Sequence, residues 1–167
     1  MVPPVRPDIG KEQYLSKSEG ISGKLRKTPE HFSVDEVIQS GREAHWVWAK
    51  ESNEGKHAIV KITSKNWDTH VLVKELSRKL NIGERAISFA GTKDKRARTS
   101  QYMSLKCNQE KIENLDLENV KIEFKHMSTK PIRLGNLVGN KFKIEITEAK
   151  NLGNIEKIIT ELDQFFP

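Results

Sequence analysis

The stretch DTHVLVKELSRKLNIGERAISFAG, residues 68–91, decides the fold because its period changes partway along. Leu72, Leu76 and Leu80 recur every four residues with Val73 beside them, which makes one face of a helix apolar. Asn66, Asp68 or Thr69 is placed to cap its start, and Asn81-Ile82-Gly83 is placed to stop it. Ala86–Ala90 (AISFA) then reads as a buried strand that ends at Gly91.

The same reading extends outward in both directions. Downstream, Thr99–Lys106 is a second strand and residues 108–115 form a short helix. Val120, Ile122 and Phe124 alternate with Lys121, Glu123 and Lys125, as in a half-buried strand, and Phe142, Ile144 and Ile146 repeat that pattern. Asn154 caps a helix with Ile155, Ile158, Ile159, Leu162, Phe165 and Phe166 on one side. Upstream, His31–Ile38, Trp46–Lys50 and Ala58–Thr63 have strand composition, and Ser52-Asn53-Glu54-Gly55 separates the last two. Together these three suggest a meander. Residues 1–20, proline-rich at the start, read as an extended arm, and residues 21–167 as part of one domain. The expected class is α+β, a mixed and mainly antiparallel sheet with helices packed on it.

Composition narrows the function. No window approaches a membrane span, and the proline-rich start is unlike a signal peptide, so the cytoplasm is the expected compartment. The single cysteine, Cys107, has no partner for a disulfide or a CxxC metal site. A net charge of +6 and a pI near 9.4 favour polyanions, because phosphate contacts release counterions.

The densest chemistry lies in Gly91-Thr92-Lys93-Asp94-Lys95-Arg96-Ala97-Arg98-Thr99-Ser100-Gln101, a loop between two expected strands. Lys93, Lys95, Arg96 and Arg98 surround one carboxylate. Neighbouring cations favour its charged form, so Asp94 is expected to be ionised and suited to a nucleophile or base role. The plainer reading is a solvated loop with a structural aspartate. A second segment, Arg133–Phe142, has glycines and asparagines leading into a strand. There Asn140 could orient a carboxylate or bind a base edge, and Phe142 could stack on a base or join the core. A third, Lys24-Leu25-Arg26-Lys27-Thr28-Pro29, sets three cations before a proline turn, either for phosphates or for solvent. Nucleotide and protease signatures fail: Gly55-Lys56 is followed by His57, and neither HExxH nor Gly-x-Ser-x-Gly occurs. The histidines lack metal-ligand spacing, and His70 reads as a surface residue. Trp46, Trp48 and Trp67 read as core or sheet-face residues.

Three segments in order resemble the TruD family of tRNA pseudouridine synthases: Lys27-Thr28-Pro29-Glu30-His31-Phe32-Ser33-Val34-Asp35-Glu36, Phe89–Gln101 and Leu134–Phe142. His31 departs from the pattern, where the family usually carries an acid. The resemblance spans about residues 20–167. It implies isomerisation of uridine to pseudouridine in tRNA, typically at uridine-13, with no cofactor and no metal. It also implies part of the pseudouridine synthase fold, with the catalytic aspartate at Asp94 and with Asn140, Phe142 and Phe32 beside the target base. On that reading Lys93, Lys95 and Arg96 serve the bound nucleotide, and Lys24, Arg26, Lys27 and Arg98 meet RNA phosphates. Family members are roughly twice this length, and their next block would begin after Pro167. The chain is therefore expected to be the amino-terminal part of the catalytic domain. It is expected to be inactive alone and prone to associate through an uncovered sheet edge, and the complete enzyme to be a monomer. The competing expectations are a non-catalytic RNA-binding fragment or RNA chaperone, and a protein-interaction domain.

Overall fold

The computed structural model describes residues 15–37, 52 and 54–165. The chain divides into two compact units, Leu25–Glu145 and a second formed by residues 1–24 with 146–167. The arm boundary expected at residue 20 falls inside the second of these.

The larger unit is a six-stranded sheet carrying two helices. In chain order its elements are β1 (Phe32–Val37), β2 (His57–Lys65), α1 (Thr69–Leu80), β3 (Ile87–Phe89), β4 (Arg98–Leu105), α2 (Gln109–Glu113), β5 (Val120–Ser128) and β6 (Gly139–Ile144). The strand order is β5-β2-β4-β1-β6, with β3 also paired to β4. Every pairing is antiparallel except β1 with β4. The meander expected near the amino terminus is thus not formed by β1 and β2, because β4 lies between them. Its middle strand, Trp46–Lys50, lies outside the described residues, as do Trp46 and Trp48.

The helix read from residues 68–83 is present. Asp68 is its cap, accepting hydrogen bonds from the N–H groups of His70 at 2.8 Å and Val71 at 3.2 Å. Asn81 turns left-handed at its end, and the Ser77 hydroxyl donates to the Ile82 carbonyl at 2.6 Å. Leu72, Leu76 and Leu80 pack on Ala58, Val60 and Ile62 of β2 and on Met103 and Leu105 of β4. Across the sheet, Ile59 meets Ala90 and Ile132, with Tyr102 and Leu137 beside them. Trp67 is partly buried against the first core, and its ring N–H donates to the Glu118 carbonyl.

Two strands differ from expectation. The strand read over Ala86–Ala90 shortens to Ile87–Phe89, because residues 84–86 form a 3-10 turn. The alternation in β6 predicts a half-buried strand, yet Phe142 and Ile144 are exposed. They lie on the strand at the end of the described sheet, where β1 is the neighbour on one side.

β1 and β3 share one side of β4. β1 covers residues 98–100 and β3 covers 103–105, so their carboxyl ends approach each other near Gln101 and Tyr102. The chain leaves β3 at this internal junction and returns to the start of β4 through residues 90–97.

In the smaller unit, Lys24 bridges Thr147, and Glu161 accepts hydrogen bonds from the N–H groups of Lys17 and Ser18 and from the Ser18 hydroxyl. Its helix α3 (Ile155–Asp163) begins at Asn154, whose amide donates to the Glu19 carbonyl instead of capping the helix. α3 buries none of its residues, although its apolar stripe is present. No described helix is long and apolar enough to cross a membrane.

Candidate active site

β1 sets the floor of the site. Its alternation places Phe32, Val34 and Glu36 toward one face. On β6 their direct partners are Ile144, Phe142 and Asn140, which therefore project to the same side. Ala97, at the end of the 90–97 loop, packs on Phe32 and Val34. The loop is thereby held against β1.

Lys93 fixes the middle of this loop. Its backbone N–H donates to the Thr69 hydroxyl at the start of α1, at 2.9 Å. Its ammonium donates to Glu36 at 2.7 Å, with only 4% of the Lys93 side chain and none of the Glu36 side chain exposed. The second Glu36 oxygen accepts the Tyr102 N–H at 2.7 Å. That N–H lies just beyond the point where the β1–β4 ladder ends, opposite Ser100. Glu36 therefore continues the ladder with its side chain. Lys93, expected to face the bound nucleotide, is turned inward because a buried carboxylate claims its charge. At Gly91 an added Cβ would lie 3.0 Å from the end of the Leu137 side chain, which would have to give way.

Asp94 follows directly and points the other way, with 57% of its side chain exposed. Its carboxylate accepts a hydrogen bond from Arg26 at 2.8 Å. The Arg26 guanidinium also lies over the Phe32 ring, 3.8 Å from the centroid, a cation–π contact. Phe32 in turn meets Phe142 edge to face, with centroids 6.1 Å apart. Asp94, Arg26, Phe32 and Phe142 thus form one continuous line of contacts across β1. Arg26, expected to hold an RNA phosphate, is engaged with Asp94 and Phe32.

The remaining expected residues are distributed around this line. Lys95, Arg96, Arg98, Lys27, Asn140 and Phe142 are all exposed. Arg98 also borders an open cleft of about 490 Å³ with Glu30, Lys65 and Lys121. Lys24 belongs to the smaller unit and pairs with Glu148 at 2.6 Å. Beneath the loop, Ser100 Oγ and Gln101 Oε1 are buried without a hydrogen-bond partner among the described residues. No group of three or more metal-ligating side chains occurs among the described residues.

Glu36 does not stand out in the sequence as a site residue, though a signal exists. It occupies the third buried position of a Phe32-Val34-Glu36 alternation, where a carboxylate needs a partner.

The sequence matches the family described as tRNA pseudouridine synthase D (TruD) over residues 8–167. A probable tRNA pseudouridine synthase D of Methanococcoides burtonii is 39% identical over 148 residues, covering 88% of this chain and 32% of that protein. The corresponding protein of Archaeoglobus fulgidus is 38% identical, covering 83% of this chain and 32% of its own length. A crystal structure of a candidate tRNA pseudouridine synthase D from Methanosarcina mazei superimposes with a TM-score of 0.79 at 34% identity, covering 98% of this chain and 36% of that one. The chain thus spans about a third of the length of the curated relatives it matches, so they are longer than the twofold ratio expected from the resemblance. The fold, the ordered motifs and these matches lead to one conclusion: the chain belongs to the tRNA pseudouridine synthase D (TruD) family.

Proposed function

We propose that this chain carries the catalytic carboxylate of an RNA pseudouridine synthase, which isomerises uridine-13 of tRNA without a cofactor, and that Asp94 is that carboxylate. The observation that supports this reading best is the line from Asp94 through Arg26 and Phe32 to Phe142. It links an exposed carboxylate, held by a cation, through Phe32 to an exposed aromatic ring on the neighbouring strand.

The reaction exchanges the C1′–N1 bond of uridine for a C1′–C5 bond. N1 ends with a proton and C5 loses one, so the base and sugar balance with nothing added. A uridine stacked in a helix is out of reach and has to be flipped out. Asp94 then starts the cleavage by attack on C1′, by addition to C6 or by removal of the 2′ proton. Arg26 fixes the direction of the Asp94 carboxylate. Phe142, exposed and braced by Phe32, offers a stacking face for the uracil while it turns to present C5. Asn140 lies two residues away on the same face of β6 and positions the base. Lys93 acts indirectly, by fixing the loop through Glu36. Lys95, Arg96, Arg98 and Lys27 are the proposed phosphate contacts, and Lys24 is a further one if it leaves Glu148.

The test uses tRNA tritiated at C5 of uridine. Because relatives are longer, the assay compares the 167-residue chain with a chimera in which this chain replaces the matching third of the M. mazei relative. The chimera is expected to release tritium and the chain alone is not. Asp94→Asn in the chimera should lower the rate by at least about 10⁴-fold while tRNA binding changes little. Release at an unchanged rate by the Asp94→Asn chimera would sink the reading and favour a non-catalytic RNA-binding role.

A further inference from the structure

A second cleft, of about 650 Å³, lies along the part of the sheet formed by β3. Its walls come from four separate segments: His57 at the start of β2, Arg85 before β3, Lys106 after β4, and residues 131–134 ahead of β6. Among the described residues β3 is paired only with β4. The volume is that of a small-ligand site.

The charge of this cleft is one-sided. Arg85, Lys106 and Arg133 line it, and no aspartate or glutamate among the described residues does. Among the other described cations of the larger unit, six pair with a carboxylate, while Lys74, Lys79, Lys141 and Lys143 do not. Arg26 pairs with Asp94, Lys93 with Glu36, Lys65 with Glu30, Arg78 with Glu75, and Lys121 and Lys125 with Glu123. Arg85, Lys106 and Arg133 have no such carboxylate among the described residues. Three like charges gathered from three segments repel one another unless an anion lies between them. Leu134, which is 75% exposed, and the half-buried Phe89 line the cleft as well and add an apolar surface of the kind a base covers. His57 lines the same cleft, and its Nδ1 is buried with no hydrogen-bond partner among the described residues.

We propose that this cleft binds a nucleoside phosphate, with Arg85, Lys106 and Arg133 on the phosphate and Phe89 against the base. Burial, and then the charge of Lys106, push the His57 imidazole below its ordinary value of 6.5. His57 therefore stays neutral and contributes a hydrogen-bonding nitrogen instead of a fourth charge. The cleft shares no lining residue with the Asp94 line, and its Lys106 end is distant from it. Phe32 adjoins the start of β4 whereas Lys106 follows its end, and eight residues at roughly 3.3 Å each put these about 25 Å apart. An RNA strand held in this cleft would be gripped at a second point besides the reacting uridine. The proposal does not rest on the catalytic role of Asp94.

The test measures binding to the 167-residue chain by fluorescence anisotropy, using a labelled single-stranded RNA, with uridine 5′-monophosphate followed by NMR in a parallel arm. R85Q/K106Q/R133Q removes the cleft charges, and all three residues are exposed, so the fold should hold. K74Q/K79Q/K111Q removes the same charge from around α1 and α2 and serves as the control. The cleft variant should bind RNA about tenfold more weakly at low salt. It should also flatten the plot of log K against log salt by about two units, at about 0.7 per lost contact on a single strand. The control should change affinity less than about twofold. If uridine 5′-monophosphate shifts the Phe89 and His57 resonances while the cleft variant binds RNA normally, the source of the phosphate is a free nucleotide. Equal weakening by both triple variants, or no effect of the cleft variant in either arm, would overturn the proposal.

Discussion

Adjacent residues in the 90–97 loop have opposite fates. Lys93 is buried against Glu36, whereas Asp94 is exposed against Arg26. The sequence shows a cluster of charge around one carboxylate, and the structure leaves that carboxylate exposed. The sequence does not show which cation turns inward, because that depends on Glu36, 57 residues away. The Lys93–Glu36 pair makes a sharp stability prediction. Glu36→Met leaves a buried ammonium without its counterion and should cost about 3–5 kcal/mol in urea denaturation, whereas Glu36→Met with Lys93→Met should recover most of that loss. A single variant as stable as the unaltered chain would contradict this account. Glu30 makes the pH prediction. The hydrogen bond from Lys65, its own backbone N–H and then Thr28 hold its carboxyl down to about 2, from 4.5. A carboxyl depressed in the folded state stabilises the fold above pH 4.5, and that stabilisation is lost as the pH falls toward 2. The stability difference between Glu30→Gln and the unaltered chain should therefore shrink across that range, and a carbonyl NMR titration of Glu30 should give a midpoint far below that of a free glutamate.

At the scale of elements, legibility follows periodicity. α1 is readable to its caps because an amphipathic stripe, an aspartate and an Asn-Ile-Gly stop agree with one another. Asp68→Ala should cost about 1 kcal/mol through its lost cap. Leu76→Ala, at a fully buried position, should cost about 2–5 kcal/mol. Thermal or urea unfolding would check both, and a cost for Asp68→Ala equal to that of Leu76→Ala would show that Asp68 does more than cap the helix. β6 and α3 are readable as elements but not in their burial. Alternation in a sequence tells which residues share a face, not whether anything covers it. Phe142 and Ile144 share a face and are exposed, and the apolar stripe of α3 buries no residue. Strand order is also hidden, since nothing local in β1 or β2 signals that β4 separates them.

For the whole molecule, the governing feature is the place of β1 in the sheet. It precedes every other described strand, yet it lies between β4 and β6, with Val34 opposite Thr99 on one side and Phe142 on the other. Contacts this distant in sequence form late, because closing long loops costs entropy before the contacts can repay it. Refolding followed by pulsed amide labelling should protect α1 and the β2–β5 pairing before β1, and early protection of β1 would contradict this order. On the ribosome the delay lengthens. Chains emerge at about 5–20 residues per second, so β1 spends several seconds as nascent polypeptide before its second neighbour has been made. During that interval the Phe-Ser-Val stretch that will floor the site is open to chaperones.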